Sequence, residues 1–202
     1  MLYTTNGLHN IRYLVDGPQG IGERSIMELK ELTEKTLELL QIKSTSEMSE
    51  SLMSIVKSND SDVYEKFRQL VDNDLTIDWL QKIFQYYQAD RKEKMQDYTP
   101  KSLADFMGRL VGDSDTIIDM CAGSGALTIQ KWNHNHNQKF ILYEFDEKVI
   151  PFLVFNMAIR NIEARIYHAD VLQKEIFHIY EIHKGKKYGE FKEIVNGNSV
   201  NI

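Results

Sequence analysis

The sequence predicts an α/β protein in which a helical region comes first and strands alternate with helices afterwards. Between residues 25 and 94, apolar residues recur at the spacing of amphipathic helices. From residue 116 onward, short apolar or β-branched runs alternate with helical segments, an order that is typical of a parallel sheet. We therefore expect a helical domain over residues 1–95 and a sheet-containing domain over residues 96–202.

The overall charge of the chain is acidic, with a net charge of −6 and a pI near 5.5 over 202 residues. This negative net charge argues against a protein that binds nucleic acid by electrostatic attraction alone, because such binding usually requires a basic face. The chain has one cysteine, so no internal disulfide can form, and no long apolar run or signal-peptide segment is present. We expect a cytoplasmic protein without a membrane span.

The helical region divides into predicted helices separated by a polar loop. Ser25, with Glu28 three residues later, has the pattern of a capping box for a helix that ends near residue 42. The serine-rich segment 43–62 is expected to be a loop with a short helix at residues 49–56. Two further helices are predicted over residues 62–71 and 77–94, and their methionine and aromatic side chains are expected to form a core.

A well-capped helix is predicted to begin at Thr99 and Pro100. Threonine is a good N-cap, and proline suits the first helical turn. Gly112 fits the end of this helix. Four apolar side chains are expected to form its buried stripe: Leu103, Phe106, Met107 and Leu110.

The most informative stretch is the glycine-rich segment 119–128, which follows a β-branched run at residues 116–118 and precedes a predicted helix. Gly123 and Gly125 allow a sharp turn and the close approach of a ligand, because neither has a Cβ. The helix that follows points free N–H groups toward such a ligand. A dinucleotide fingerprint requires a third glycine where Thr128 stands, so the pattern argues against NAD.

Two more strands are predicted over residues 139–146 and 164–170, with a helix over residues 147–161 between them. Pro151 either bends this helix or marks its true start. Glu144 lies about 20 residues after the glycine turn, where a carboxylate would accept hydrogen bonds from a ribose diol. The alternative for Glu144 is a surface carboxylate that is stabilised by the following helix.

The remainder of the chain gives weaker signals. The apolar stretch 176–182 is expected to be helical, and the basic segment 184–189 is interpreted as a solvated turn or a phosphate contact. Asn196-Gly197, between short apolar runs, is a strong hairpin signal. The loop at residues 133–137 contains two histidines that could contact a metal ion. The sequence suggests no third ligand, so no metal site is expected.

The glycine turn and three other segments together resemble a known family. The Asp-x-Cys-x-Gly-x-Gly pattern of residues 119–125 resembles motif I of S-adenosylmethionine-dependent methyltransferases. More narrowly, it resembles the adenine-N6 DNA methyltransferases that serve as modification subunits of type I restriction-modification systems. The Tyr-Thr-Pro turn at residues 98–100 resembles motif X of that family, Glu144 its motif II, and residues 168–172 its motif III.

The resemblance implies a Rossmann-like domain that holds S-adenosylmethionine. In such a domain Phe145 would lie against the adenine ring, and Asp170 would accept a hydrogen bond from the adenine amino group. The turn at residues 98–100 would lie over the methionine end of the cofactor. The residues implied to bind the cofactor are Tyr98, Thr99, Pro100, Asp119, Cys121, Ala122, Gly123, Ser124, Gly125, Leu127, Glu144, Phe145, Asp170, Val171 and Leu172.

The catalytic motif of this family, Asn/Asp-Pro-Pro-aromatic, does not occur in the chain, whose only prolines are Pro18, Pro100 and Pro151. In the family that motif accepts hydrogen bonds from the target amine and stacks on the flipped-out base. We therefore expect the chain to be truncated before the catalytic strand and to hold only the cofactor-binding half. The complete enzyme would methylate adenine in DNA, with specificity and restriction subunits as partners.

Two other interpretations stay open at this point. One is a catalytically inactive methyltransferase-like protein that binds or regulates. The other is a small-molecule or RNA methyltransferase with an unusual fourth motif, which the Thr-Pro turn and the helical leader argue against. In the sheet of the family that the chain resembles, the strand at residues 116–118 would pair with the strand that carries the missing motif. A chain that ends at Ile202 would leave the former with an open apolar edge, which we expect the C-terminal hairpin or a second copy of the chain to cover.

Overall fold

The structure is a computed structural model that describes residues 29–87 and 101–194. It confirms an α/β fold in which helices precede a sheet. The described residues of the first part form a 3-10 helix (Thr45–Glu47) and five α-helices: α1 (Leu29–Leu39), α2 (Met48–Ser58), α3 (Ser61–Leu70), α4 (Trp79–Tyr87) and α5 (Lys101–Leu110). The elements that follow are β1 (Thr116–Asp119), α6 (Ala126–His134), β2 (Lys139–Glu144), α7 (Ile150–Ile159), β3 (Ala164–Asp170), β4 (Glu175–His183) and β5 (Glu190–Ile194).

The helices of the first part agree well with the sequence pattern. The short helix predicted at residues 49–56 is present as α2, and it ends where Asn59 adopts a left-handed conformation with φ of 51°. Asp60 then caps α3, because its side chain accepts hydrogen bonds from the N–H groups of Asp62 and Val63. The predicted cap at Ser25 lies outside the described residues. Among the helices that the structure describes, none has the length and apolar character needed to cross a membrane.

The five strands form one sheet in the order β1-β2-β3-β4-β5. The first three are parallel, while β4 and β5 run antiparallel to their neighbours. The helix expected over residues 176–182 is wrong, since these residues belong to β4. A short apolar run fits a helix or a strand by period alone, and pairing with β3 decides in favour of the strand by burying Ile179 and Ile182.

One face of the sheet is covered by helices. The connections β1-α6-β2 and β2-α7-β3 advance in the same direction, so right-handed crossovers place α6 and α7 on the same side. Every residue of α7 is buried, and α2 packs against it. Phe155 of α7 also contacts Tyr64 and Phe67 of α3, with ring centroids 5.1 and 5.5 Å apart. Pro151 lies in the first turn of α7 and therefore marks its start.

The opposite face of the sheet is less well covered. Ile118 is 60% exposed, and Tyr143 and Tyr167 are half-buried and stack on each other with centroids 4.7 Å apart. β1 is an edge strand, and Ile194, the last residue of β5, lies at the other edge of the sheet. The predicted hairpin at Asn196-Gly197 lies outside the described residues. No described segment pairs with the free edge of β1.

Helix α5 has the predicted position but not the predicted burial. The side chains expected to form its buried stripe are exposed: Leu103 by 49%, Phe106 by 58%, Met107 by 37% and Leu110 by 66%. The helix instead packs on α6 through its small residues. Ala104 is buried, and a Cβ on Gly108 would lie only 3.3 Å from the backbone of α6. The apolar stripe faces away from α6 and finds no partner among the described residues.

Candidate functional site

Three acidic side chains lie at the carboxyl ends of the three parallel strands. Asp119 ends β1, Glu144 ends β2 and Asp170 ends β3. Because neighbouring parallel strands finish at the same edge of a sheet, these carboxylates share one edge, where ligands of open α/β sheets bind. Ionised carboxylates only accept hydrogen bonds. This edge therefore suits a ligand that is rich in hydroxyl or amino donors, or one that is positively charged.

The glycine turn between β1 and α6 has the backbone shape that its sequence predicts. Gly123 and Gly125 both have positive φ, at 56° and 99°. A Cβ on Gly125 would lie 3.0 Å from the side chains of Leu153 and Met157, so this glycine also allows the turn to rest directly on α7. The start of α6 directs its first N–H groups toward the same edge of the sheet as the acidic side chains.

Glu144 joins the glycine turn to the end of β2. Its Oε2 accepts a hydrogen bond of 2.8 Å from the N–H of Gly123. Its Oε1 accepts bonds from the N–H groups of Phe145 and Asp146, at 2.9 and 2.7 Å. A carboxylate has about four acceptor positions, so these three bonds leave about one for a ligand. A ribose diol would bind through both hydroxyls only if one backbone N–H moved aside.

Asp119 and Cys121 form the front of the turn. Asp119 accepts a 3.2 Å bond from the N–H of Cys121 and faces the hydroxyl of Thr128 at 3.5 Å, while burial raises the pKa of its carboxyl. Thr128 thus binds Asp119 at the position where a dinucleotide site would have a third glycine. Cys121 is exposed, and desolvation followed by the charges of Glu144 and Asp119 raises the pKa of its thiol. A thiol that holds its proton is a poor nucleophile.

The other predicted site residues are distributed around the same edge. Phe145 and Leu172 are 62% and 92% exposed, and Asp170 accepts hydrogen bonds from the N–H groups of Leu172 and Gln173. Ala122 and Ser124 are buried within the turn, whereas Leu127 and Val171 are half-buried. The turn at Tyr98, Thr99 and Pro100 lies outside the described residues.

Comparison with protein families assigns the chain to a family. The family model described as N-6 DNA methylase matches residues 71–196, more than half of the chain. The chain belongs to the N-6 DNA methylase family. Searches of curated proteins and of solved structures found no match. The predicted resemblance to adenine DNA methyltransferases is thereby confirmed at the level of the family.

The methylase structure also shows a residue next to the glycine turn that the sequence pattern does not reveal. Asn156 lies in the middle of the apolar helix α7 and is 1% exposed. Its side-chain amide donates a 2.9 Å hydrogen bond to the carbonyl oxygen of Ser124, so it supports the glycine turn from below. The only signal in the sequence is a single polar residue in a run otherwise made of apolar residues. By contrast, His168 is a packing residue as predicted, 8% exposed and bonded to the carbonyl of Phe145.

Proposed function

We propose that the chain binds S-adenosylmethionine at the carboxyl edge of its sheet. It would form the cofactor-binding part of an adenine-N6 DNA methyltransferase of a type I restriction-modification system, acting in the cytoplasm. The observation that carries this proposal is the contact between Glu144 and the N–H of Gly123. It joins the two segments that resemble motifs I and II of the family, in a chain that belongs to the N-6 DNA methylases.

The chemistry of S-adenosylmethionine fits the groups at this edge. The cofactor has ribose hydroxyls and an adenine amino group as donors, and it has positive charge on its sulfonium and ammonium groups. Asp119, Glu144 and Asp170 are the matching acceptors. The exposed ring of Phe145 offers a flat surface on which a base can stack. When bound, the cofactor supplies the methyl group, and the residues of this chain bind and orient it.

Catalysis would require the Asn/Asp-Pro-Pro-aromatic motif, which is absent from this sequence, on further chain or on another subunit. In the family to which the sequence bears resemblance, the first strand pairs with the strand that bears this motif. Here no segment of the described residues pairs with the outer edge of β1, and Ile118 of this strand is 60% exposed. The exposed apolar stripe of α5 is the second surface without a described partner. We propose that the catalytic segment, as further chain or as part of another subunit, docks on these two surfaces by adding a strand to β1.

DNA contact would also come largely from partners. The chain has a net charge of −6, which opposes binding to a phosphate backbone. Specificity and restriction subunits are the partners that the resemblance implies, and a second copy of this chain is the alternative occupant of the β1 edge. The second candidate function is a catalytically inactive binding or regulatory protein, which the absence of the catalytic motif favours.

Calorimetric titration of S-adenosylmethionine into the chain tests the cofactor site. We expect micromolar binding for the wild type and at least about tenfold weaker binding for Glu144→Gln, since about 1.4 kcal/mol corresponds to a factor of ten. Glu163→Gln is the matched control. Glu163 lies at the amino end of β3, where it pairs with Lys139 at 2.8 Å, and its loss should leave the affinity unchanged. Absence of binding by the wild type would refute the proposal.

A methyl-transfer assay tests whether methylation requires a catalytic motif that this sequence lacks. We expect no transfer from labelled cofactor to unmethylated DNA by the chain alone, and transfer when a longer chain or another subunit supplies the catalytic motif. Transfer by the chain alone would show that the missing motif is not needed. Intact cofactor binding without transfer in any combination would favour the inactive binding protein.

A further inference from the structure

Asp78 connects the helical region with the layer beneath the glycine turn. It is 5% exposed and precedes the first residue of α4. Its Oδ1 accepts a 2.9 Å bond from the N–H of Gln81, which caps α4. The same oxygen accepts a 3.0 Å bond from the side-chain amide of Asn156 in α7. One carboxylate oxygen therefore joins a helix start to the helix on which the turn rests.

Asn156 extends this connection to the glycine turn. Its amide nitrogen donates both to Asp78 and to the carbonyl oxygen of Ser124, at 3.0 and 2.9 Å. Its amide oxygen accepts a 2.8 Å bond from Arg160, which in turn donates to the carbonyl oxygens of Leu75 and Ile77. The orientation of the Asn156 amide is thus fixed at both of its atoms. The turn needs such support, because a segment with two glycines has little rigidity of its own.

Two atoms of this network have no hydrogen-bond partner of good geometry among the described residues. They are Oδ2 of Asp78 and the hydroxyl oxygen of Ser124, and both are buried. The Ser124 hydroxyl is nevertheless close enough to oppose the rise that burial causes in the pKa of Asp78. Buried polar atoms without partners are costly and are uncommon in folded proteins. These two lie at the point where the helical region faces the glycine turn.

We propose that Asp78 is a positioning residue for the glycine turn. Through the Asn156 amide it holds Ser124, and therefore the turn, in the conformation that binds the cofactor. The helical region thus contributes to the cofactor site without touching the ligand. The identity of the ligand in this inference rests on the proposed function. The effect of Asp78 on the conformation of the turn does not.

Two substitutions separate this role from simple stabilisation. Asp78→Ser keeps an N-cap for α4, since serine caps helices about as well as aspartate, but its side chain is too short to reach Asn156. Asp78→Asn keeps both the cap and an acceptor for Asn156, and its amide can donate to the nearby Ser124 hydroxyl. Both remove the negative charge that faces the buried Arg160, so that loss is common to the two variants.

Hydrogen exchange measures the turn directly, without any ligand. The amides to follow are those of Ala122 and Gly125, which donate to the carbonyls of Tyr143 and Ala122 at 2.9 Å. We expect Asp78→Ser to accelerate their exchange about tenfold relative to Asp78→Asn, the factor that about 1.4 kcal/mol gives. The control Glu65→Gln breaks the contact of α3 with Lys187 and Tyr188, far from the turn, and should leave these amides unchanged.

Calorimetry with S-adenosylmethionine provides the second measurement. We expect about tenfold weaker binding for Asp78→Ser, and affinity within about threefold of the wild type for Asp78→Asn. Equal exchange rates and equal affinities in the two variants would overturn the inference. If the wild-type protein does not bind the cofactor, only the proposed function is refuted. The exchange rates would still decide whether Asp78 positions the turn.

Discussion

Helices α7 and α5 both have large apolar side chains, but the surroundings of these side chains are opposite. All ten residues of α7 are buried, between the sheet on one side and α2 and α3 on the other. In α5 the largest apolar side chains are exposed, and the helix contacts α6 through the small residues Ala104 and Gly108 and through Asp105, which lies 3.0 Å from His134. The side of the molecule around α7 is therefore complete within the described chain, whereas the side around α5 and β1 still offers apolar surface. An apolar stripe predicts a helix, but its burial depends on a partner.

The largest expected effect compares a phenylalanine from each helix. Phe155→Ala should lower the free energy of unfolding by about 3–5 kcal/mol, because it leaves a cavity against Tyr64 and Phe67. Phe106→Ala should change it by less than about 0.5 kcal/mol, since that side chain is 58% exposed. Urea titrations followed by circular dichroism measure both values. Similar losses in the two variants would mean that α5 is as well packed as α7.

A smaller effect concerns the contact that holds α3 to the loop between β4 and β5. Hydrogen bonds from Lys187, at 2.6 Å, and from Tyr188 lower the pKa of Glu65 from 4.5 to about 2. Since the folded-state pKa lies below the unfolded one, this contact stabilises the protein above about pH 4.5 and is lost as the pH falls toward 2. The difference in unfolding free energy between wild type and Glu65→Gln should therefore be larger at pH 6 than at pH 3.

Lys187→Met is the matched control for this pH dependence. It removes the strongest donor to Glu65, so it should reproduce the pH dependence of Glu65→Gln, and the double variant should add little. If the difference in unfolding free energy between wild type and Glu65→Gln is equal at pH 6 and pH 3, the contact does not form in solution.

The contrast between α7 and α5 also explains which structural features the sequence predicts. The glycine turn, the parallel strands and the start of α7 at Pro151 follow from local patterns that tertiary contacts reinforce. The sequence pattern predicts a helix where β4 lies, and this prediction is wrong because pairing with β3 decides the structure of that segment. The exposure of Phe106 and the contact between Asp78 and Asn156 depend on residues that are distant in sequence or outside the described chain. No local pattern contains that information.

The smallest expected effect on stability belongs to the exposed stripe of α5. Phe106→Ser combined with Leu110→Ser should change the unfolding free energy by less than about 1 kcal/mol, because each side chain is more than half exposed. The same variant should bind markedly less of the dye ANS, which reports exposed apolar surface, and should lose affinity for a partner that docks beside β1. Leu172→Ser is the control, since Leu172 is 92% exposed but lies at the end of β3, away from α5. Unchanged ANS binding in the α5 variant would show that its stripe is already covered in solution, and the docking surface would then have to be sought on β1 alone.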